Sequence, residues 1–173
     1  MIHKIIKDLE LNRREMNISK ESIEFISIIC KSLKPKNILE IGTFNGYSAL
    51  WLSLYAENVT CLEIDPISIN TAKENFKKAD AKNIKIIQGD AVETIQKLKE
   101  RFDIILIDAM KSQYKIYLEL SLNKLIKNGI IFVDNTISHK DKLQEFFNYL
   151  KNSKLYYKEL NLGKGLMIIA KNI

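Results

Sequence analysis

"NILEIGTFNGYSALWLSLYAENVTCLEID" runs from Asn37 to Asp65, and its reading decides the fold. "NILEIG" is a short, mostly apolar run and reads as a strand. A loop with Gly42 and Gly46 follows, and "GYSALWLSLYA" then reads as a helix. "VTCLEID", with its β-branched residues, is a second strand. Strand, loop, helix and strand in one stretch make a βαβ unit, which places the two strands parallel.

The alternation continues outward. "PISINTAKENFKKA" is a helix with Pro66 in its first turn, "NIKIIQGD" a strand and "AVETIQKLKE" a helix. "FDIILID" is a strand, "KSQYKIYLELSLNKLI" a helix, "GIIFVDN" a strand and "HKDKLQEFFNYLKN" a helix. "YYKELNL" and "GLMIIAKN", with only Gly163 and Lys164 between them, form a hairpin and bring one antiparallel strand. On the amino-terminal side, residues 2–11 have helical periodicity, and "NRREMN" breaks it. "SKESIEFISIICKSL" is a helix capped by Ser19, with Ile23, Ile26, Cys30 and Leu33 on one face, and Lys34-Pro35 ends it. Several strands are continuous apolar runs, as buried parallel strands are. The expectation is a three-layer, doubly wound α/β fold with helices on both faces of a mostly parallel sheet. One domain spans residues 1–173, with 1–34 a helical cap and 35–173 the α/β core.

Length and composition agree: 173 residues suffice for one domain with a full core, and 46% hydrophobic residues fit a globular protein. No apolar run reaches the roughly 18 residues of a membrane span, and charge is mixed into "MIHKIIKDLE", so neither an anchor nor a signal peptide is expected. Cys30 and Cys61 sit in apolar stretches as small core residues, which fits a reducing, cytoplasmic location. The net charge of +6 comes almost wholly from lysine, only Arg13, Arg14 and Arg101 being arginines. Such an excess fits an anionic partner such as RNA, and equally lysines spread over solvated faces.

In doubly wound sheets ligands bind outside the carboxyl ends of the strands. There the sequence places Glu40, Glu63, Asp90, Asp108 and Asp134, an acid for each of the first five strands. The loop after the first strand is not the dinucleotide fingerprint, since Phe44 stands where backbone would approach a pyrophosphate. It suits a ligand with an amino-acid end, whose ammonium Glu40 would hold. Glu63 lies where such folds grip ribose hydroxyls, and Asp90 can accept from an adenine amino group. Amino acid, ribose and adenine together describe S-adenosylmethionine. The alternative for Gly42 and Gly46 is a tight turn and close helix packing.

"LEIGTFNGYSALWLS", "CLEIDP", "QGDA", "FDIILIDAMKSQY" and "GIIFVDN" together resemble the class I, cation-dependent O-methyltransferases, over about Met16 to Asn135. That family includes catechol and caffeoyl-CoA O-methyltransferases and bacterial enzymes that methylate 5-hydroxyuridine in tRNA. The resemblance implies the strand order 3-2-1-4-5-7-6. It implies S-adenosylmethionine held by Met16, Asn17, Ile18, Glu40, Gly42, Thr43, Phe44, Gly46, Ser48, Glu63, Ile64, Asp65, Gly89, Asp90, Ala91 and Asp108. It implies Mg²⁺ or Mn²⁺ on Asp108, Asp134 and Asn135, a hard oxygen set that suits those ions rather than zinc. It makes Lys111 the general base, its pKa lowered beside the cation. Relatives of this kind are often dimers.

Two departures bear on the acceptor. Only "TISHKD" separates the fifth strand from the next helix, where many relatives have a longer segment, and the amino-terminal region is short. An open site fits tRNA, with Arg13, Arg14, Lys111 and Asn135 toward the substrate; it also fits a small catechol-like phenol. Two other readings are a catalytically silent module that binds RNA or protein, and an NAD-dependent enzyme, which Phe44 disfavours. His3 and His139 read as surface residues, and Tyr47, Trp51, Tyr55, Tyr114 and Tyr117 as packing.

Overall fold

The structure, a computed structural model, describes residues 1–171. Its strands are β1 (Asn37–Ile41), β2 (Asn58–Glu63), β3 (Ile84–Gln88), β4 (Phe102–Ile107), β5 (Leu125–Asp134), β6 (Tyr156–Leu160) and β7 (Leu166–Ala170). They form one sheet in the order β3-β2-β1-β4-β5-β7-β6. The first five pair in parallel, and β7 runs antiparallel to both β5 and β6. The order reverses at β1 and β4, so the loops after these two strands diverge and leave a crevice between them.

Alternation along each strand sorts the core onto two faces. Ile38 of β1 and Ile104 and Leu106 of β4 face one way. They meet α1 (Ile2–Leu11), α2 (Lys20–Leu33), α3 (Tyr47–Ser53) and α4 (Pro66–Ala79), which contribute Ile6, Ile23, Ile26, Leu50 and Phe76. Leu39, Ile41, Ile105 and Ile107 face the other way. They meet α5 (Ala91–Lys97), α6 (Tyr114–Lys124) and α7 (Gln144–Asn152) through Ile95, Leu118, Phe146 and Leu150. The helices before residue 35 thus share the core of the sheet.

Local chemistry explains the helix starts. Ser19 accepts from the Ser22 amide at 3.0 Å and caps α2. Asp65 accepts from the Ser68 amide at 2.9 Å and caps α4, with Pro66 at its first position. Asp90 caps α5 through the Val92 amide at 2.7 Å.

Three boundaries differ from the sequence reading. Leu33 is 54% exposed rather than part of the buried face of α2. It is the last residue of that helix, where left-handed Lys34 (φ 48°) turns the chain away. Leu125 and Ile126 belong to β5, not to the preceding helix. Leu125 is buried and pairs with Phe102, and the register then shifts before Ile130 pairs with Ile104. The link between β6 and β7 is five residues, 161–165, because Gly163 (φ 55°) and Gly165 (φ 95°) both turn it.

Candidate functional site

A cleft of about 550 Å³ opens at the carboxyl ends of β1, β2, β3, β4 and β5. Its floor is the loop after β1. Gly42 (φ 89°) lies against the backbone of Asp108, since a Cβ there would sit 2.1 Å from the Asp108 carbonyl oxygen. Only glycine allows this approach. Glu63 braces the same loop: Oε2 accepts from the amides of Thr43 (3.1 Å) and Phe44 (2.9 Å), and Oε1 from those of Ile64 and Asp65. Four amides on one carboxylate fix the positive-φ Phe44 (φ 49°) in place.

One wall is the segment between α1 and α2. Asn17 Nδ2 donates to Asn45 Oδ1 at 2.7 Å, which ties this cap to the glycine loop. Met16, Asn17 and Ile18 line the cleft from the cap. Across from them Ile64 and Met110 also line it, and both are large apolar side chains about 60% exposed. Tyr117 lines it too, and its phenol is pushed up to about 12 by burial and by the carboxylates of Asp90 and Glu63.

The acidic end lies where β4 and β5 run side by side. Ile107 pairs with Val133, so Asp108 and Asp134 leave adjacent strand ends together. Both carboxyls are raised above the usual carboxylate range by burial, and the charge of Asp108 raises Asp134 further. The Lys111 ammonium offsets part of this, with Nζ donating to Asp108 Oδ1 (3.0 Å) and to the Ala109 carbonyl (3.1 Å). Asn135, held at φ 67°, donates its amide to Asp134 Oδ2 at 2.9 Å, which leaves its own carbonyl oxygen for another partner. Asp134 Oδ1 is buried with no hydrogen-bond partner. An orphaned buried carboxylate oxygen is costly unless something else satisfies it. Two carboxylates and an amide oxygen fit a hard divalent cation. Among the described residues no three His, Cys, Asp or Glu side chains cluster for a metal, so the amide oxygen is needed to complete this set.

The cleft takes in Met16, Asn17, Ile18, Gly42, Thr43, Phe44, Ser48, Glu63, Ile64, Gly89, Asp90, Ala91, Asp108, Lys111 and Asn135. Other expected residues lie elsewhere. Glu40 is fully buried beneath the loop, because it is next to last in β1 and points to the same face as Ile38. Burial raises its carboxyl to about 7; Ser48, Cys61 and Thr43 lower it, but none closes a hydrogen bond of ordinary geometry. Gly46 (φ 81°) begins α3, and a Cβ there would meet the Phe76 ring at 2.4 Å, so it serves helix packing. Asp65 is exposed as the cap of α4. Arg13 and Arg14 do not face the cleft: Arg13 donates to the carbonyls of Asn17 and Ile18, and Arg14 lies over the Phe44 ring at 5.9 Å. Asp134 closes the set from behind Asn135.

Several lining residues went unread, His139 and Lys164 among them. His139 lines the cleft instead of the open surface. Its amide donates to the Asn135 carbonyl at 3.2 Å, so the turn after β5 carries both residues. Its imidazole is lowered by burial and then by Lys111, Lys142 and Lys164. Lys164 comes from the β6–β7 loop and reaches the Glu15 carbonyl. The four-residue spacing from Asn135 was the one sequence signal for His139; Lys164 had none.

Residues 3–162 match the family model described as O-methyltransferase. Tapetum-specific methyltransferase 1 of Arabidopsis thaliana is 29% identical over 205 aligned residues, covering 99% of this chain and 88% of that protein. The catechol O-methyltransferase of Mycobacterium tuberculosis is 29% identical over 69% of this chain, which spans only 57% of that relative's length. The crystal structure of the Podospora anserina methyltransferase PaMTH1, bound to S-adenosylhomocysteine, superposes with a TM-score of 0.89 at 25% identity, covering 99% of this chain and 88% of that one. With residues 3–162 matched to that family and the sheet in the order β3-β2-β1-β4-β5-β7-β6, the chain belongs to the class I O-methyltransferase family.

Proposed function

We propose that the chain transfers the methyl group of S-adenosylmethionine to a hydroxyl flanked by a second oxygen, with a divalent cation on Asp108, Asp134 and Asn135. The observation that carries this reading is the buried, unpartnered Asp134 Oδ1, which lies behind Asn135 at the end of the cleft that holds Asp108 and the glycine loop. The chain works as one domain, with residues 1–34 as its cap.

For the donor, Met16, Asn17 and Ile18 close over the methionine end, while Glu63 and Asp90 accept from ribose and adenine. Ile64 and Met110 offer apolar surface to a flat base, which accounts for two large exposed hydrophobic side chains lining one cleft. When bound, the cation would supply Lewis acidity that eases ionisation of the acceptor hydroxyl. Lys111 Nζ, fixed by Asp108 and Ala109, is the group that accepts the hydroxyl proton in its neutral form. Asp108 thus has two tasks, as cation ligand and as the anchor that aims Lys111.

A small catechol-like acceptor is the favoured reading. Of the arginines that would meet tRNA phosphates, Arg13 is engaged within the cap and Arg14 lies over the Phe44 ring of the glycine loop. Two relatives carry the name catechol O-methyltransferase. The test is methyl transfer from labelled donor to 3,4-dihydroxybenzoate and to hydroxyuridine-containing tRNA, with Mg²⁺ or with excess chelator. Expected is transfer to the catechol with Mg²⁺ alone. Asp134→Ala should lose about a hundredfold or more while keeping S-adenosylhomocysteine binding. Full activity in chelator refutes the cation's part, and transfer to tRNA alone reverses the choice of acceptor.

A further inference from the structure

The tip of the β6–β7 hairpin touches both walls of the cleft. Toward the cap, Gly163 packs so closely on the start of α2 that a Cβ would sit 1.9 Å from Ser19 Oγ. Ser22 Oγ donates to the Leu162 carbonyl at 3.3 Å, and Lys164 Nζ to the Glu15 carbonyl at 2.6 Å. Toward the turn after β5, the Lys164 carbonyl accepts from the amides of Ile137 (3.1 Å) and Ser138 (3.0 Å). The Gly165 carbonyl accepts from the Thr136 amide at 3.1 Å. One residue, Lys164, therefore bonds the donor-covering cap with its side chain and the turn that carries Asn135 and His139 with its backbone.

We infer that Lys164 is a positioning residue that latches the cap over the bound donor and holds that cap in register with the acceptor end of the cleft. The inference rests on the reading of this cleft as the donor site. On its other side the cap is held by Asn17 on Asn45 and by Arg13 on its own carbonyls. These leave the edge at Glu15 and Met16 fixed by Lys164, since both are exposed and Met16 is 70% so. The Lys164 side chain is itself half-buried at the rim, and a bond from an ammonium to a carbonyl is among the stronger kinds. Loss of this bond frees the cap edge without disturbing β6 or β7, whose ladder runs from Leu160↔Leu166 outward.

The test compares Lys164→Met, which keeps the aliphatic stem, with Lys164→Arg, which restores a cation. S-adenosylhomocysteine affinity is read by calorimetry, and tryptic cleavage after Arg13 and Arg14 by mass spectrometry, with and without that ligand. Thermal melting serves as the check that all three proteins fold alike. Expected for Lys164→Met is about tenfold weaker binding and faster cleavage at the cap in both conditions, with Lys164→Arg recovering most of each. Affinity within twofold of wild type together with unchanged cleavage overturns the latch. If the wild type binds no S-adenosylhomocysteine, the proposed donor is wrong. The cleavage rates of the ligand-free proteins then still decide the latch, equal rates overturning it.

Discussion

Lys111 is held by two acceptors, and that constrains how its role is measured. Its Nζ bonds to Asp108 and Ala109 and lies 5.2 Å from the centre of the Tyr114 ring. None of these partners belongs to the cap or the glycine loop. Lys111→Ala should therefore lower kcat by roughly 10² to 10⁴ while S-adenosylhomocysteine affinity, measured by titration, changes by less than about threefold. A comparable loss in both would make Lys111 part of donor binding instead. At this scale the sequence was legible where a residue ends a strand, because the end of a parallel strand has a fixed address in a doubly wound sheet. Asp108, Asn135, Glu63 and Asp90 could be placed that way. Glu40 could not: a shift of one residue within a strand moves a side chain to the opposite face, and the acid went under the loop instead of into the cleft. Arg13 and Arg14 look identical on paper whether they meet phosphates or, as here, the carbonyls of their own loop and the ring of Phe44.

At the scale of elements, α3 depends on how it starts. Gly46 precedes it in the left-handed region and lies on the ring of Phe76 from α4. Gly46→Ala should destabilise the fold by about 2–3 kcal/mol, from backbone strain and from displacement of a buried ring. That is a fall of roughly 5–10 °C in Tm by calorimetry. Unchanged melting would mean that the turn relaxes freely. The α/β alternation itself was easy to read, since apolar runs and helical periods alternate with clear breaks. The helix-to-strand junction at Leu125 was not, because "NKLIKNG" has no proline or cap to mark it and burial against Phe102 decides. The site's second wall, the hairpin tip, was also beyond reach. Lys164 and Glu15 are 149 residues apart, and only the folded sheet joins them.

For the whole molecule, the buried Glu40 ties stability to pH. Burial raises its carboxyl from the ordinary 4.5 to about 7, so the native state binds a proton more tightly than the unfolded chain. Its contribution is fully present below pH 4.5 and is lost as pH rises through 7, a change of about 3 kcal/mol. Glu40→Gln stays neutral throughout. Its Tm relative to wild type should thus rise by roughly 5–10 °C between pH 5 and pH 8. A difference that stays flat with pH would show that the acid is not held neutral. No helix among the described residues is long and apolar enough to cross a membrane.

The strand β7 lies between β5 and β6 although it follows both along the chain. During synthesis the chain leaves the ribosome from its amino end, so the edge of β5 that ends in Asp134 waits without a neighbour until Leu166–Ala170 emerge. In that interval β6 has no sheet to join, and the wall bearing Asp134 and Asn135 lacks its outer support. A nascent chain stalled before Leu166 presents an apolar, unpaired edge, "IIFV", to any other chain nearby. That edge closes only when β7 docks between β5 and β6, so the last strand to be made is the one that completes the sheet.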